Sequence, residues 1–295
     1  MINPDPHSSV HSDHVTVQSL GSGSSGNSFV IEYRQHTLLL DCGVGIRTLG
    51  RALRERGQRL DDLDAVLITH EHSDHIATLP RLAGIDVPVV ATAGTKRHLP
   101  IPDNQWQPIA SGKSVSVGAL TVWAIAVDHD ATEPCGYLIE AGRTRVSLFT
   151  DLGCWHDRLA EPILASDLVV LEANHDLEML RRGPYPIYLK KRVASPKGHL
   201  SNIDAGTSLA STLRRARGTP TVWLAHLSET NNAPDVARGT VVRELLDAGV
   251  GAPVTPLPRR TPGPVWSATG AGTLERWRPP ETPDPVSQLA LEMPV

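Results

Sequence analysis

The chain has 295 residues, a formal net charge of −4 at pH 7 and a hydrophobic fraction of 40%, with only 4% aromatic residues. These values permit one large α/β domain or two small ones, and the mild charge gives no general attraction to nucleic acid or to a membrane surface. No stretch approaches the length of a transmembrane helix. Three cysteines without a CxxC pair fit neither a disulfide framework nor a zinc knuckle, so we expect a cytoplasmic location.

Residues 1–14 lack the apolar segment of a signal peptide, and we expect them to be a disordered leader. Residues 15–20 alternate in hydrophobicity, which predicts a first strand. Residues 21–28 follow as a glycine- and serine-rich loop. It fits a plain hairpin connection, or a loop that brings backbone amides close to an anionic ligand. The chain has no GxxxxGK[ST] motif, which excludes a nucleotide P-loop.

Short apolar or alternating segments, bounded by turn residues, predict a series of further strands. These segments lie at 29–33, 37–40, 65–68, 87–91, 114–117, 120–127, 135–140, 144–149, 169–171 and 222–225. Helices are predicted at 46–56, from Ser201 or Asn202 to about 217, and from 232–234 to 249, while 188–192 fits a helix or a loop. Strand hairpins that precede helices, twice along the chain, indicate two sheets sandwiched between helices.

The composition changes near residue 256, where proline becomes frequent. We expect 256–295 to be a mostly irregular extension on the surface, which follows a domain at 15–255.

The densest chemical signal lies at 70–75, directly after the predicted strand at 65–68. It contains His70, His72, Asp74 and His75. Unpaired imidazoles and carboxylates are costly to bury, whereas both are preferred donors for zinc and similar divalent cations. A solvated polar loop, or histidines that cap a helix, is the alternative interpretation. The complete His-x-His-x-Asp-His spacing favours a metal site.

Three more donors each follow a predicted strand directly: His129, Asp151 and His226. We assign a first ion to His70, His72 and His129, and a second ion to Asp74, His75 and His226. Asp151 would then bridge the two ions. A water held between them would be deprotonated near neutral pH, which makes it a nucleophile.

With these donors, the sequence resembles the metallo-β-lactamase-fold hydrolases, and within that superfamily the YycJ/WalJ type. The resemblance covers about residues 15–255. Besides HxHxDH at 70–75, it depends on SLGSGSSGNS at 19–28, LLLDCG at 38–43, HDATEPCGY at 129–137, FTDLG at 149–153, LEANHD at 171–176, GHLSN at 198–202 and LAHLSETNN at 224–232. The lactamases that gave the fold its name have cysteine where this chain has Asp151.

The resemblance implies an α/β fold, a four-layer αββα sandwich, with two divalent metal ions and 5′-to-3′ exonuclease activity on DNA. Histidine and carboxylate ligands serve Zn²⁺ and Mn²⁺ alike. Hydrolysis of a phosphodiester also needs a proton for the departing alkoxide. His199 is the candidate for that role or for a phosphate contact, and a helix-start histidine bonded to the backbone is the alternative. Asp74 is counted as catalytic through its metal.

Four residues are weaker candidates for substrate contact: Ser25, Asn27, His175 and Lys197. The basic run that contains Lys197 lies next to His199, so we expect it to bind the DNA backbone. A small-substrate hydrolase of the same fold, acting on a cyclic phosphodiester or a thioester, predicts instead a closed pocket and rates insensitive to salt. A non-catalytic, metal-stabilised binding module is a third possibility, which the seven intact donors argue against.

Overall fold

The computed structural model describes residues 13–216 and 218–270. Two seven-stranded mixed sheets form its centre. The strands of the first sheet are β1 (His14–Gly21), β2 (Ser28–Tyr33), β3 (His36–Leu40), β4 (Ala65–Leu67), β5 (Val89–Ala91), β6 (Trp106–Pro108) and β14 (Val265–Thr269). They lie in the order β14-β1-β2-β3-β4-β5-β6.

The second sheet is built from the middle of the chain. Its strands are β7 (Ser114–Val117), β8 (Leu120–Ala126), β9 (Cys135–Ala141), β10 (Thr144–Phe149), β11 (Leu168–Glu172), β12 (Thr221–Ala225) and β13 (Val254–Pro256). They lie in the order β13-β12-β11-β10-β9-β8-β7. In both sheets hairpins join antiparallel strands, and strands linked through helices run parallel, as crossover connections require.

Nine α-helices lie among the described residues. They are α1 (Ile46–Glu55), α2 (Ser73–Ile76), α3 (Leu79–Leu82), α4 (Ala93–Lys96), α5 (Ala160–Leu164), α6 (Leu177–Arg182), α7 (Ile187–Val193), α8 (Asn202–Leu213) and α9 (Pro234–Asp247). Within this part of the chain, no helix combines the length and the apolar character needed to cross a membrane.

The alternation of side chains along the strands produces three buried layers. Phe29 and Ile31 of β2 face the core between the two sheets, while Val30 faces outward. Leu49 and Leu53 of α1, one turn apart, cover that outer face of the first sheet. Helices α5, α8 and α9 cover the outer face of the second sheet in the same way. The predicted four-layer αββα sandwich is therefore confirmed.

Part of the expected extension is regular structure. Residues 265–269 form β14, which pairs antiparallel with β1 and gives the first sheet its edge. The proline-rich composition, which includes Pro262 and Pro264, did not predict this strand. Both prolines precede the strand, so its own backbone amides can still pair with β1. The predicted boundary at 256 also falls at the last residue of β13. The division into a domain at 15–255 and an extension stays a prediction.

Two other differences are smaller. Residues 1–12 of the predicted leader lie outside the described residues, and His14 already belongs to β1. Helix α8 ends at Leu213, four residues before the predicted end, while the segment around 188–192 is helical. Ser201 caps α8, because its side chain accepts a hydrogen bond from the Asp204 amide.

Candidate metal centre

Every predicted metal ligand lies just beyond the carboxyl end of a strand. The loop after β4 and the short helix α2 carry the four donors of the 70–75 motif, and β8, β10 and β12 of the second sheet end just before His129, Asp151 and His226. Parallel strands place their carboxyl ends at one edge of a sheet, and the two sheets face each other. The seven donors therefore meet in one place although they span more than 150 residues of sequence.

The first predicted set forms a compact group of imidazoles. Single ring nitrogens of His70, His72 and His129 lie within 4.8 Å of one another. Nε2 of His129 is 3.2 Å from Nδ1 of His72. The distances suit three ligands of one cation.

The second predicted set surrounds the carboxylate of Asp151. Its Oδ2 lies 3.0 Å from Nε2 of His75, and its Oδ1 lies 3.0 Å from Nδ1 of His226. Oδ2 of Asp74 is 3.6 Å from Nε2 of both histidines. Asp151 also belongs, with His70 and His75, to a buried group of ligand atoms, so it lies between the two sets as a bridging ligand would.

Two buried imidazole nitrogens in this centre, Nε2 of His70 and Nε2 of His226, lack hydrogen-bond partners among the described residues, as do Oδ2 of Asp151 and Oδ1 of Asn27. An unpaired polar atom in such a place costs on the order of 1–3 kcal/mol, so a ligand for both nitrogens is expected. A divalent cation supplies one, since neutral imidazole binds it through this nitrogen. The donor set, five histidines and two aspartates, therefore fits divalent metal ions.

Hydrogen bonds to the other ring nitrogens orient these imidazoles. Nδ1 of His129 donates to the Gly198 carbonyl at 2.9 Å, and Nδ1 of His75 lies 2.7 Å from Oδ2 of Asp41. Such bonds fix the tautomer and leave Nε2 as the metal-binding atom. Asp41 is fully buried and also accepts a hydrogen bond from the Thr69 amide at 2.9 Å.

Charges in the centre are strongly coupled. Burial, and then the neighbouring His75, lower the pKa of His70 well below its usual range, which keeps this imidazole neutral. Burial acts to raise the pKa of Asp151, but His226 and His75 outweigh it and hold that pKa well below the usual range. A neutral histidine and an ionised aspartate are the forms that bind metal.

Glu172, like Asp41, is a functional residue that the sequence did not identify. It is the last residue of β11 and is fully buried. Its Oε1 lies 2.8 Å from Nδ1 of His199 and 3.0 Å from Nδ1 of His226, while its Oε2 accepts a hydrogen bond from the Leu152 amide. Burial opposes ionisation, but His199 and His226 lower the pKa of Glu172 to about 2. The available signal was a single acidic residue at the end of an apolar strand.

Three residues of the centre have left-handed backbone conformations that non-glycine residues seldom adopt. The φ angles are 53° at Asp41, 54° at Asp151 and 52° at His226. Each lies where a strand turns sharply into a loop, and the turn directs the side chain toward the centre. Nearby, Gly43 packs so closely that an added Cβ would lie 1.6 Å from the Asp74 carbonyl oxygen.

A cavity of about 270 Å³ opens onto the centre. It is lined by Ser24, His72, Asp74, His129, Asp130, Asp151, Tyr185, Leu189, Arg192, Val193, Gly198, His199 and His226. Helix α7 and the preceding Tyr185 therefore form one wall. Arg192 is paired with Asp130 at 2.6 Å, so these two charges largely cancel at the rim.

The four weaker candidates for substrate contact differ in how close they lie to the metal centre. Asn27 is buried in the centre, with Nδ2 3.0 Å from Nε2 of His75 and 3.2 Å from Oδ2 of Asp74. Ser25 and Lys197 are exposed and do not line the cavity, where Ser24 lies instead. His175 is buried outside the cavity lining, and neither of its ring nitrogens has a hydrogen-bond partner within the described part of the chain. Ser25, His175 and Lys197 stay predictions as substrate contacts.

A family model described as "Beta-lactamase superfamily domain" matches residues 36–226. The chain therefore belongs to the metallo-β-lactamase superfamily of hydrolases.

Curated relatives and solved structures agree with this membership. The chain is 37% identical over 243 residues to exodeoxyribonuclease WalJ of Streptococcus pneumoniae strain D39, covering 80% of this chain and 90% of the relative. It is 36% identical over 238 residues to exodeoxyribonuclease YycJ of Bacillus anthracis, covering 79% and 89%. The metallo-β-lactamase fold protein YhfI of Bacillus subtilis shares the fold, with a TM-score of 0.66 at 19% identity over 87% of this chain and all of that one.

Proposed function

We propose that the protein is a dinuclear metal-dependent phosphodiesterase that degrades DNA as an exonuclease from the 5′ end. The observation that carries this proposal is the convergence of His70, His226 and Asp151 on one centre, where two buried imidazole nitrogens lack partners. We further propose that it acts in the reducing cytoplasm, since its cysteines at 42, 135 and 154 are free thiols.

DNA as the substrate is supported by the relatives named exodeoxyribonuclease, which align with most of this chain. The size of the cavity is consistent with that substrate. At about 270 Å³ it is smaller than the roughly 300–1,000 Å³ of ordinary small-ligand pockets. It suits a terminal nucleotide whose remaining chain lies outside.

Helix α7 offers a surface for that remaining chain. Tyr188 is 75% exposed and Ile187 is 73% exposed, while Lys190 and Lys191 follow on the same helix. Exposed aromatic rings beside basic side chains are the usual means of binding a single strand, by stacking on bases and neutralising phosphates. The helix also lines the cavity through Leu189 and Arg192. It therefore connects the surface to the reacting centre.

The metal ions, when bound, would neutralise the phosphate oxygens and lower the pKa of the attacking water, with Zn²⁺ and Mn²⁺ as the candidates. We assign them the ligand sets predicted from the sequence, with Asp151 between them. The side chains of this protein supply the remaining tasks. Asp41 and Glu172 hold the histidines in their metal-binding tautomers, and Asn27 donates to Asp74.

His199 is the proposed proton donor to the departing alkoxide. Its Nδ1 is engaged by Glu172, and the side chain lines the cavity, so Nε2 is available to a substrate. Burial acts to lower its pKa, but the Glu172 carboxylate outweighs burial and raises it above the usual value. A raised pKa keeps the imidazole protonated near neutral pH, which a general acid requires.

The test measures degradation of linear duplex DNA by purified protein supplied with Mn²⁺ or Zn²⁺. Three substrates separate the possibilities: a duplex blocked only at its 5′ ends, a duplex blocked only at its 3′ ends, and a closed circle. We expect loss of nucleotides from the 3′-blocked duplex alone. The rate should fall as salt rises, because phosphate contacts release counterions.

Asp74→Ala should abolish the activity, and Asp103→Ala serves as the matched control, since Asp103 is 97% exposed and lies outside the cavity. A metal-loaded wild type that leaves all three DNA substrates intact would refute the exonuclease proposal. Turnover of bis-(p-nitrophenyl) phosphate or a thioester by that same sample would then indicate a small-substrate hydrolase.

A further inference from the structure

A second group of metal-binding side chains lies just outside the cavity. Nε2 of His156 is 2.8 Å from Oδ2 of Asp128 and 3.5 Å from Sγ of Cys154. The three ligand atoms all lie within 4.8 Å of one another. None of the three residues lines the cavity or belongs to the predicted catalytic ligands.

In this group, Nε2 of His156 has two neighbours, the Asp128 carboxylate and the Cys154 sulfur. Nε2 of an imidazole carries at most one hydrogen, so it cannot donate well to the carboxylate and the sulfur together. A divalent cation among the three atoms would be bound by all of them at once. A thiolate and a carboxylate would also bring two negative charges, which balance the charge of the ion.

We propose that Asp128, Cys154 and His156 form a zinc site separate from the catalytic centre. Thiolate and imidazole together favour Zn²⁺ over Mg²⁺, Ca²⁺ and Mn²⁺. Three protein ligands leave the fourth tetrahedral position to water. Asp128 also pairs with Arg158. Arg158 and His156 both contact Oδ2 of Asp128, so Oδ1 is the oxygen that could bind the ion while the pair with Arg158 is kept.

The location gives this site a structural consequence. Asp128 directly precedes His129, and Cys154 is the third residue after Asp151. The two loops are already joined by a backbone hydrogen bond of 2.7 Å from the Gly153 amide to the Asp128 carbonyl. A bound zinc ion would add a side-chain cross-link between the same loops. Its occupancy therefore restrains the positions of His129 and Asp151.

Cobalt spectroscopy tests the proposal on the full-length protein. Metal-free protein is titrated with Co²⁺, because a cobalt–thiolate bond gives a near-ultraviolet charge-transfer band that histidine and carboxylate ligands do not give. We expect this band in the wild type, a weaker band in His156→Ala and none in Cys154→Ser. Cys42 and Cys135 remain in the serine variant, but both are fully buried and neither belongs to a group of metal-binding side chains among the described residues.

Alkylation provides a second readout that does not depend on activity. Zn²⁺ should slow the modification of Cys154, followed by peptide mass spectrometry, in the wild type but not in His156→Ala. A wild type without the charge-transfer band at saturating Co²⁺ would overturn the proposal. An equal band in Cys154→Ser would overturn it as well. Neither result tests the exonuclease proposal, because Cys154 is not one of the proposed catalytic ligands.

Discussion

Asp41 and His75 form a carboxylate–imidazole pair with both side chains fully buried and 2.7 Å between Oδ2 and Nδ1. His36 and Asp64 form a similar pair, also at 2.7 Å, at the opposite ends of β3 and β4. Only the first pair adjoins the candidate metal centre. Variants of the two pairs can therefore be compared. Loss of either pair can reduce stability in general, whereas only loss of the Asp41–His75 pair disturbs the orientation of a metal ligand.

Asp41→Asn should lower metal affinity about 10- to 100-fold, the usual effect of removing the partner of a metal-bound histidine. The reason is that an amide accepts the Nδ1–H bond more weakly than a carboxylate does, so it orients His75 less firmly and leaves Nε2 a weaker metal ligand. Metal affinity is measured by competition with a chromophoric chelator. Asp64→Asn is the control and should leave the affinity unchanged. Equal losses in both variants would contradict the proposed role of Asp41.

Glu172→Gln should shift the alkaline limb of the kcat profile to lower pH. The carboxylate raises the pKa of His199, so its loss lets that pKa fall, and the protonated form of His199 then disappears at a lower pH. The measurement is kcat against pH at saturating metal and DNA. Glu140→Gln, which changes a buried carboxylate bonded to Trp123 on the same sheet, controls for lost stability. An unmoved alkaline limb would argue against His199 as the general acid.

Tyr188→Ala should raise the KM for single-stranded DNA ends about tenfold, since stacking of one base on an aromatic ring contributes roughly 1–3 kcal/mol. Turnover of bis-(p-nitrophenyl) phosphate should not change, because that substrate has no further nucleotide to stack on Tyr188. Leu246→Ala removes another exposed apolar side chain, on α9, and should affect neither substrate. A wild-type KM for DNA in the tyrosine variant would show that α7 does not bind the strand.

Arg259→Ala should lower the free energy of unfolding by about 2–3 kcal/mol, because the guanidinium donates to the buried carbonyls of Leu227, Ser228 and Asn232. Urea denaturation measures the change. The neighbouring Arg260→Ala removes only an exposed ion pair with Glu229 and should leave stability nearly unchanged. Equal stability of the two variants would mean that Arg259 does not support the loop after His226.

The sequence was most informative where the chemistry is local. Four donors within six residues identify the 70–75 motif without a structure. His129 and His226 were predicted because each follows a strand. Asp41 directly follows β3, and Glu172 is the last residue of β11. The neighbouring sequence does not distinguish a carboxylate that orients a histidine from any other acidic residue at the end of a strand. The partners of these two carboxylates lie 34 and 54 residues away, and only the fold brings them together.

The segment after residue 256 shows a different limit of what the sequence can predict. Composition predicts a surface extension after 256, yet β14 completes the first sheet and Arg259 supports the loop after His226. An edge strand needs only one partner and few buried side chains, so its pattern is weak. Ser24 in the cavity, in place of the predicted Ser25, reflects the same problem at the scale of one residue, since a glycine-rich loop carries no periodicity to orient its side chains.

The left-handed backbone at Asp41, Asp151 and His226 implies that these positions lower the stability of the fold while they serve its activity. Each non-glycine residue in that conformation costs on the order of 1 kcal/mol relative to glycine. Replacement by glycine would relieve the backbone, but it would also remove a metal ligand or its support. Selection for thermal resistance alone would therefore favour sequences that lose the catalytic centre, and a directed-evolution experiment on this protein must screen for turnover at every round.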